Sequence, residues 1–255
     1  MRIRLGLSVS SDSKVLPVNY MYELSAWIYK TLNYGSPEFS EWLHSKGYIS
    51  EKKAFKLFTF SQFDVPQYQV FNDRLKIRSD EVYLIISFLP IKAVETFVAG
   101  IFIKQSLSIG DKKSKVDFYV KSVERLPDPE FSSTMRYRCL SPIFIDKAVE
   151  GQKYKSYLSP RDQGYETLFS TNLISKTLAH EEQLSIRPEA IKLKHFGKIR
   201  KKGITIKANT RDESKLIGYM FDFELQAAPE IQRIGFYSGF GRLNSQGFGC
   251  CEIIR

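Results

Sequence analysis

Cysteine is scarce in this chain. Only Cys139, Cys250 and Cys251 stand among 255 residues. An odd count, with an adjacent pair whose side chains should point to opposite faces of a strand, excludes a disulfide framework and a zinc knuckle. Free thiols are expected. Histidine is equally rare: His180 and His195 offer neither an HExxH spacing nor a carboxylate cluster, so no metal site and no cofactor is expected. Long apolar runs are missing too. The longest, from Val82 to Ile91, is far short of the roughly 18 residues that span a bilayer. Ser8, Ser10, Ser11 and Asp12 interrupt the amino terminus before a signal-peptide core can form. The expectation is a cytoplasmic protein with no membrane association. Acidic side chains are in deficit, 28 against 38 basic ones, for a net charge of +10. Such an excess calls for a polyanion, either nucleic acid or an anionic surface.

What is present is ordinary globular material. With 43% hydrophobic and 14% aromatic residues, a chain of this length buries roughly 70–75% of the surface its unfolded form exposes. Its length admits one large or two small domains. Residues Arg2 to Val9 alternate Ile3, Leu5, Leu7 and Val9 with Arg4, Gly6 and Ser8, the period of a half-buried strand. From Tyr20 to Leu32 the spacing turns helical through Met21, Leu24, Ile28 and Leu32, and Ser36 with Pro37 restarts a second helix toward Lys46. Two β-rich runs follow, Phe55 to Phe63 and Gln69 to Phe88, then a helix over Pro90 to Lys104 and a strand over Val116 to Val123.

That order is β-α-β-β-α-β, the ferredoxin-like or RRM-like unit. Pro127, Asp128 and Pro129 punctuate the chain, and the second half repeats the order. A strand over Met135 to Ile145, interrupted by Pro142, is followed by a helix over Arg161 to Ala179 with Tyr165, Leu168, Phe169, Leu173 and Ile174 inward. Strands at Ala190 to Ile199 and Ile204 to Ala208 flank a Lys-Lys-Gly turn. A strand over Leu216 to Leu225, a helix near Ala228 to Phe236 and a last strand over Gly249 to Ile254 complete the unit. The expected fold class is α+β, two tandem ferredoxin-like domains spanning 1–127 and 128–255.

The densest local signal is GFGRLNSQGFG, running from Gly239 to Gly249. Glycines at Gly239, Gly241, Gly247 and Gly249 permit backbone conformations that let amides approach a phosphate chain. The segment lacks the Gly-Lys-Ser/Thr ending of a nucleotide P-loop, and it precedes the final strand where a dinucleotide fingerprint follows the first. A plain surface turn is the alternative. The loop, the amino-terminal strand and the segments WLHSKGY, FKLFTFSQF, LSPI, YLSP and TLFSTNL together resemble the CRISPR-associated repeat-processing endoribonucleases, the "Cas six" family of the repeat-associated RNA-binding superfamily. The resemblance spans the chain. It implies two ferredoxin-like domains and metal-independent cleavage of the repeats in long CRISPR transcripts. In archaeal members a tyrosine on the first helix, a histidine shortly after it and a lysine just before a Leu-Phe strand act together. Tyr29, His44 and Lys56 stand at those places.

Cutting RNA through its own 2′-hydroxyl needs a group to remove that proton, a group to protonate the departing 5′-oxygen, and positive charge at the phosphorane. A histidine titrates nearest neutral pH, so His44 is the general base or acid, Lys56 the electrostatic stabiliser, and Tyr29 orients or shares the proton transfer. Each residue also has a bland reading: Tyr29 as a boundary aromatic, Lys56 as one of a solvated Lys52, Lys53, Lys56 run, His44 as a helix cap.

RNA binding leaves a trace of its own. Lys192, Lys194, Lys198, Arg200, Lys201, Lys202 and Lys207 fall in one stretch without an acid. On two strands meeting at Lys202-Gly203 they form a basic hairpin for a phosphate backbone or an RNA groove, a plain solvated face being the alternative. Arg242, Asn244 and Ser245 in the glycine loop, and Arg233 before it, extend that surface, and a β-carbon at Gly247 blocks its approach to RNA. The expected partners are CRISPR repeat RNA and a CRISPR effector complex, the protein being a monomer or homodimer. The alternatives are a non-catalytic RNA-binding subunit of such a complex, or a basic protein that binds RNA for another purpose.

Overall fold

The structure is a computed structural model, and it describes residues 1–149, 151, 155–181, 191–206, 211 and 213–254. The amino-terminal half runs β1 (Arg2–Val9), β2 (Val15–Pro17), α1 (Met21–Gly35), α2 (Pro37–Ser45), β3 (Tyr48–Ser50), β4 (Lys53–Phe55) and β5 (Phe58–Phe60). It continues through β6 (Tyr68–Phe71), β7 (Arg74–Ile77), β8 (Glu81–Phe88), α3 (Ile91–Ile103), β9 (Ser106–Gly110) and β10 (Lys115–Arg125). The carboxy-terminal half runs β11 (Thr134–Cys139), β12 (Asp146–Ala148), β13 (Lys155–Tyr157), α4 (Tyr165–His180), β14 (Lys192–Ile206), β15 (Ser214–Gln226), α5 (Pro229–Ser238) and β16 (Cys251–Ile253).

Each half carries one principal antiparallel sheet. The first is ordered β5-β8-β1-β10-β9 and the second β14-β15-β11-β16. Numbered within each βαββαβ unit, both contain the order 2-3-1-4, the ferredoxin-like arrangement, with β9 added outside β10. The inward residues of β1, β5 and β8 pack with the apolar stripes of α1 and α3 around Leu5, Leu24, Ile28, Phe58, Ile86 and Phe97. Tyr137, Phe169, Leu173, Phe223, Ile234 and Phe240 form the corresponding core of the second half. Cys139, Cys250 and Cys251 are buried free thiols. Among the described residues no helix is long and apolar enough to cross a membrane.

The halves are tied together through buried polar groups. Arg2, at the start of β1, is only 4% exposed. Its guanidinium donates to the Cys251 carbonyl at 2.7 Å and the Phe236 carbonyl at 2.8 Å and lies 3.6 Å from the Phe236 ring centroid. Thr59 on β5 donates its hydroxyl to the Phe248 carbonyl at 2.8 Å. A buried guanidinium is tolerated because these carbonyls satisfy it.

Three expected elements differ. The strand expected over Met135 to Ile145 ends at Cys139 as β11. No turn interrupts the chain at Lys202-Gly203: β14 is one strand of 15 residues, bulged between Phe196 and Arg200, and Gly203 pairs with Ile217 of β15. The basic hairpin arm is therefore β14 against β15, and Ala208 lies outside the described residues. The run from Gln69 to Phe88 is three strands, broken at Asn72, whose φ of +51° makes the β6–β7 turn.

Candidate active site

Tyr29 lies at the border of the buried face of α1, because Leu24, Ile28 and Leu32 occupy the centre of that face. Its ring meets Phe58 of β5 edge to face at 5.5 Å. Burial pushes the Tyr29 phenol above its ordinary value, with a hydrogen bond to the Ser245 side chain acting the other way.

Ser36 caps α2 by accepting from the Phe39 amide at 3.3 Å, and Pro37 follows at the first helical position, the pattern that starts a helix. The helix is short, so His44 falls in its last turn, exposed to solvent. The His44 and Tyr29 rings stand nearly perpendicular with centroids 5.3 Å apart.

Beyond α2 the chain turns at Gly47, which has φ of +68°, and passes through the β3–β4 pair to Lys56. The Lys56 ammonium then returns to the end of α2, donating to the His44 carbonyl at 2.8 Å. Partial burial lowers its pKa from the ordinary lysine value. Gly47 makes that return possible: a β-carbon there would sit 2.5 Å from the Phe55 carbonyl and 3.2 Å from Lys56 Nζ. Tyr29, His44 and Lys56, separated by 27 residues of sequence, thus gather at one place around the end of α2.

The glycine loop contributes from the other half. Gly239, Gly241, Gly247 and Gly249 all have positive φ and all are buried, their α-carbons facing protein. At Gly247 a β-carbon would lie 2.3 Å from Met21 Cε and 2.7 Å from Phe60 Cε2. The steric demand at Gly247 is therefore internal and not a matter of reach toward RNA. Asn244 is spent within the loop, donating to the Phe240 and Phe248 carbonyls at 3.1 and 2.9 Å. Ser245 meets the first half twice, bonding Tyr29 through its side chain and accepting from Ser25 Oγ through its carbonyl at 2.6 Å.

Lys176 was not among the expected site residues, yet it organises this loop. It is wholly buried on α4 and donates to the carbonyls of Gly239 and Gly241 at 2.5 and 2.6 Å. Burial lowers its pKa far below the ordinary lysine value. The visible signal is a lysine on the same helical stripe as Phe169, Leu173 and Thr177.

Of the basic residues, Lys192, Lys194, Lys198, Arg200, Lys201 and Lys202 are exposed along β14, and Lys207 lies outside the described residues. Two arginines have acidic partners instead. Arg233 pairs with Glu181, and Arg242 pairs with Asp146, which Lys155 also meets at 3.0 Å.

Comparison with known proteins bears on this geometry. Residues 15–124 match the family described as CRISPR-associated protein Cas6, N-terminal, and residues 126–253 the family described as CRISPR associated protein Cas6, C-terminal. A CRISPR-associated endoribonuclease Cas6 of Methanocaldococcus jannaschii is 28% identical over 254 residues, covering 98% of this chain and 91% of that one. The solved structure of a Cas6-related gene product of Pyrococcus furiosus superposes with a TM-score of 0.86 at 25% identity, covering 100% of this chain and 98% of that one. A structure of a CRISPR associated protein Cas6 gives 0.80 at 25% identity, with 100% and 99% covered.

Proposed function

The chain belongs to the Cas6 family, and from that premise we propose that it is an endoribonuclease that cuts CRISPR precursor RNA within its repeats, without a metal ion, to release guide RNAs. The observation that carries this reading is the convergence of Tyr29, His44 and Lys56 on the end of α2, beside Ser245 of the glycine loop. In this reading the 2′-hydroxyl attacks the adjacent phosphorus, the P–O5′ bond breaks, and the products carry a 2′,3′-cyclic phosphate and a 5′-hydroxyl. His44 performs one of the two proton transfers. The Lys56 ammonium stabilises the charge that gathers on the phosphorane oxygens, and its partial desolvation strengthens that interaction. Tyr29, fixed by Ser245 and Phe58, orients His44 or shares the transfer. The amino-terminal domain supplies these three side chains and the carboxy-terminal domain supplies the RNA-holding surface.

Cleavage of a labelled repeat RNA in EDTA is the direct test. The expected outcome is an undiminished rate, with an RNA carrying a single 2′-deoxy nucleotide at the cut position bound and left whole. Loss of cleavage on chelation with recovery in magnesium defeats the mechanism. Binding without cleavage of the all-ribose repeat favours a non-catalytic subunit of an effector complex.

The exposed cations of β14 give a separate prediction. Each lysine that neutralises a phosphate releases condensed counterions, so the Lys201→Ala, Lys202→Ala double variant should weaken binding and flatten the slope of log K against log salt by about 0.7–0.9 per contact removed. Wild-type affinity across the salt series moves the RNA path off β14.

A further inference from the structure

A cleft of about 440 Å³ opens between α4, the glycine loop and the segment leading to Lys56; Lys56 and Ser245 of the candidate active site both line it. That volume is within the range of small-ligand sites. Lys53 stands at its edge, 3.5 Å from Ser175 of α4.

Two further lining residues, Asn172 and Gln246, hold side-chain amide oxygens that are buried and have no hydrogen-bond partner among the described residues. Asn172 is 8% exposed, one helical turn before Lys176. A buried polar atom without a partner is costly, and native structures contain few of them. Of seven such atoms among the described residues, these two stand at one cleft, from α4 and from the glycine loop, and a rotation of each side chain presents its amide to a ligand there.

The chemistry of the pair defines that ligand. An amide presents one acceptor and a donor pair side by side, the pattern that bonds two adjacent positions on the edge of a nucleobase. Lys53 and Lys56 place positive charge next to the amides, where a nucleotide carries its phosphate. Lys176 is already committed to the Gly239 and Gly241 carbonyls, so it shapes the pocket floor and leaves recognition to the two amides.

We propose that this cleft is a nucleotide subsite, in which Asn172 and Gln246 hold the edge of one unstacked RNA base next to the phosphate that is cut. The inference rests on the endoribonuclease reading of the neighbouring site. It makes the two amides specificity residues that do not touch the reacting atoms. An unstacked base is required because a base inside a helix has its Watson–Crick edge paired and cannot leave the stack to enter a cleft.

The experiment is an abasic scan of the host's own repeat RNA, carrying a 2′-deoxy nucleotide at the cut position, against the wild-type protein and the Asn172→Ala and Gln246→Ala variants. In the wild type, removal of the base at one position beside the cut should weaken binding about tenfold. Each variant should bind the intact RNA several-fold more weakly, and removing that same base should then cost little more. Among the described residues neither side chain makes a hydrogen bond that the variants would lose, so their thermal unfolding should match wild type. If both variants retain the wild-type affinity and the wild-type abasic profile, the amides hold no base and the subsite is overturned, although cleavage of the all-ribose RNA still upholds the nuclease reading. Failure to bind or cut any repeat RNA overturns both.

Discussion

Replacement of His44 by alanine is expected to lower the single-turnover cleavage rate by roughly 10²–10⁴, the usual worth of general acid or base catalysis, while affinity for the repeat stays within a few-fold. The geometry makes this a clean test of chemistry. His44 is exposed in the last turn of α2, so its removal opens no cavity in the core. Lys56 donates to the His44 main-chain carbonyl, and alanine keeps that carbonyl, so the lysine should remain in place. The principal loss beside the imidazole itself is the edge contact with Tyr29, worth about 0.5–1.5 kcal/mol for an aromatic pair. Lys56→Ala should also slow cleavage by removing the charge that the phosphorane meets. A wild-type rate for His44→Ala would remove the histidine from the mechanism.

The largest effect on the fold is expected at Gly249. A β-carbon there would lie 1.8 Å from the Phe240 carbonyl oxygen and 2.8 Å from Asn244 Nδ2, and the residue sits at φ of +75°. The obstruction is backbone. The Phe240 amide donates to the Gly249 carbonyl at 2.9 Å, and the Gly249 amide donates to Pro142 at 2.8 Å, so neither strand of the loop can retreat without losing these bonds. Gly249→Val combines a left-handed backbone position with a forced separation of the loop, and belongs with the substitutions that cost more than ~4 kcal/mol. At about 2–4 °C per kcal/mol for a chain of this size, the midpoint of thermal unfolding should fall by on the order of 10 °C. A midpoint within 2 °C of wild type would show that the loop yields easily. Gly247→Val should act in the same direction through Met21 and Phe60, so its RNA-binding defect would follow from damage to the loop.

Periodicity carried the elements. The alternation of Ile3, Leu5 and Leu7 and the helical spacing of Met21, Leu24, Ile28 and Leu32 depend only on neighbours a few residues apart, and those side chains are buried on β1 and α1. The βαββαβ order of both halves could be read the same way. Tyr29, His44 and Lys56 became candidates through resemblance to a family, since spacing alone does not separate them from a boundary tyrosine, a helix-end histidine and a solvated lysine.

The structure decided what each cation and each glycine faces. Arg242 meets Asp146 across 96 residues and Arg233 meets Glu181 across 52, and no local pattern announces such pairs. Lys202-Gly203 resembles a turn in sequence, yet those residues continue β14 because β15 supplies partners for them through Ile217 and Gly218. A glycine-rich string shows that the backbone is free to take positive φ; only packing shows that Gly247 and Gly249 turn that freedom inward. Local preference acts over one or two turns of chain and is written in consecutive residues, whereas partners, burial and the unpaired amides of Asn172 and Gln246 arise from groups brought together by folding, and so exist only in the tertiary structure.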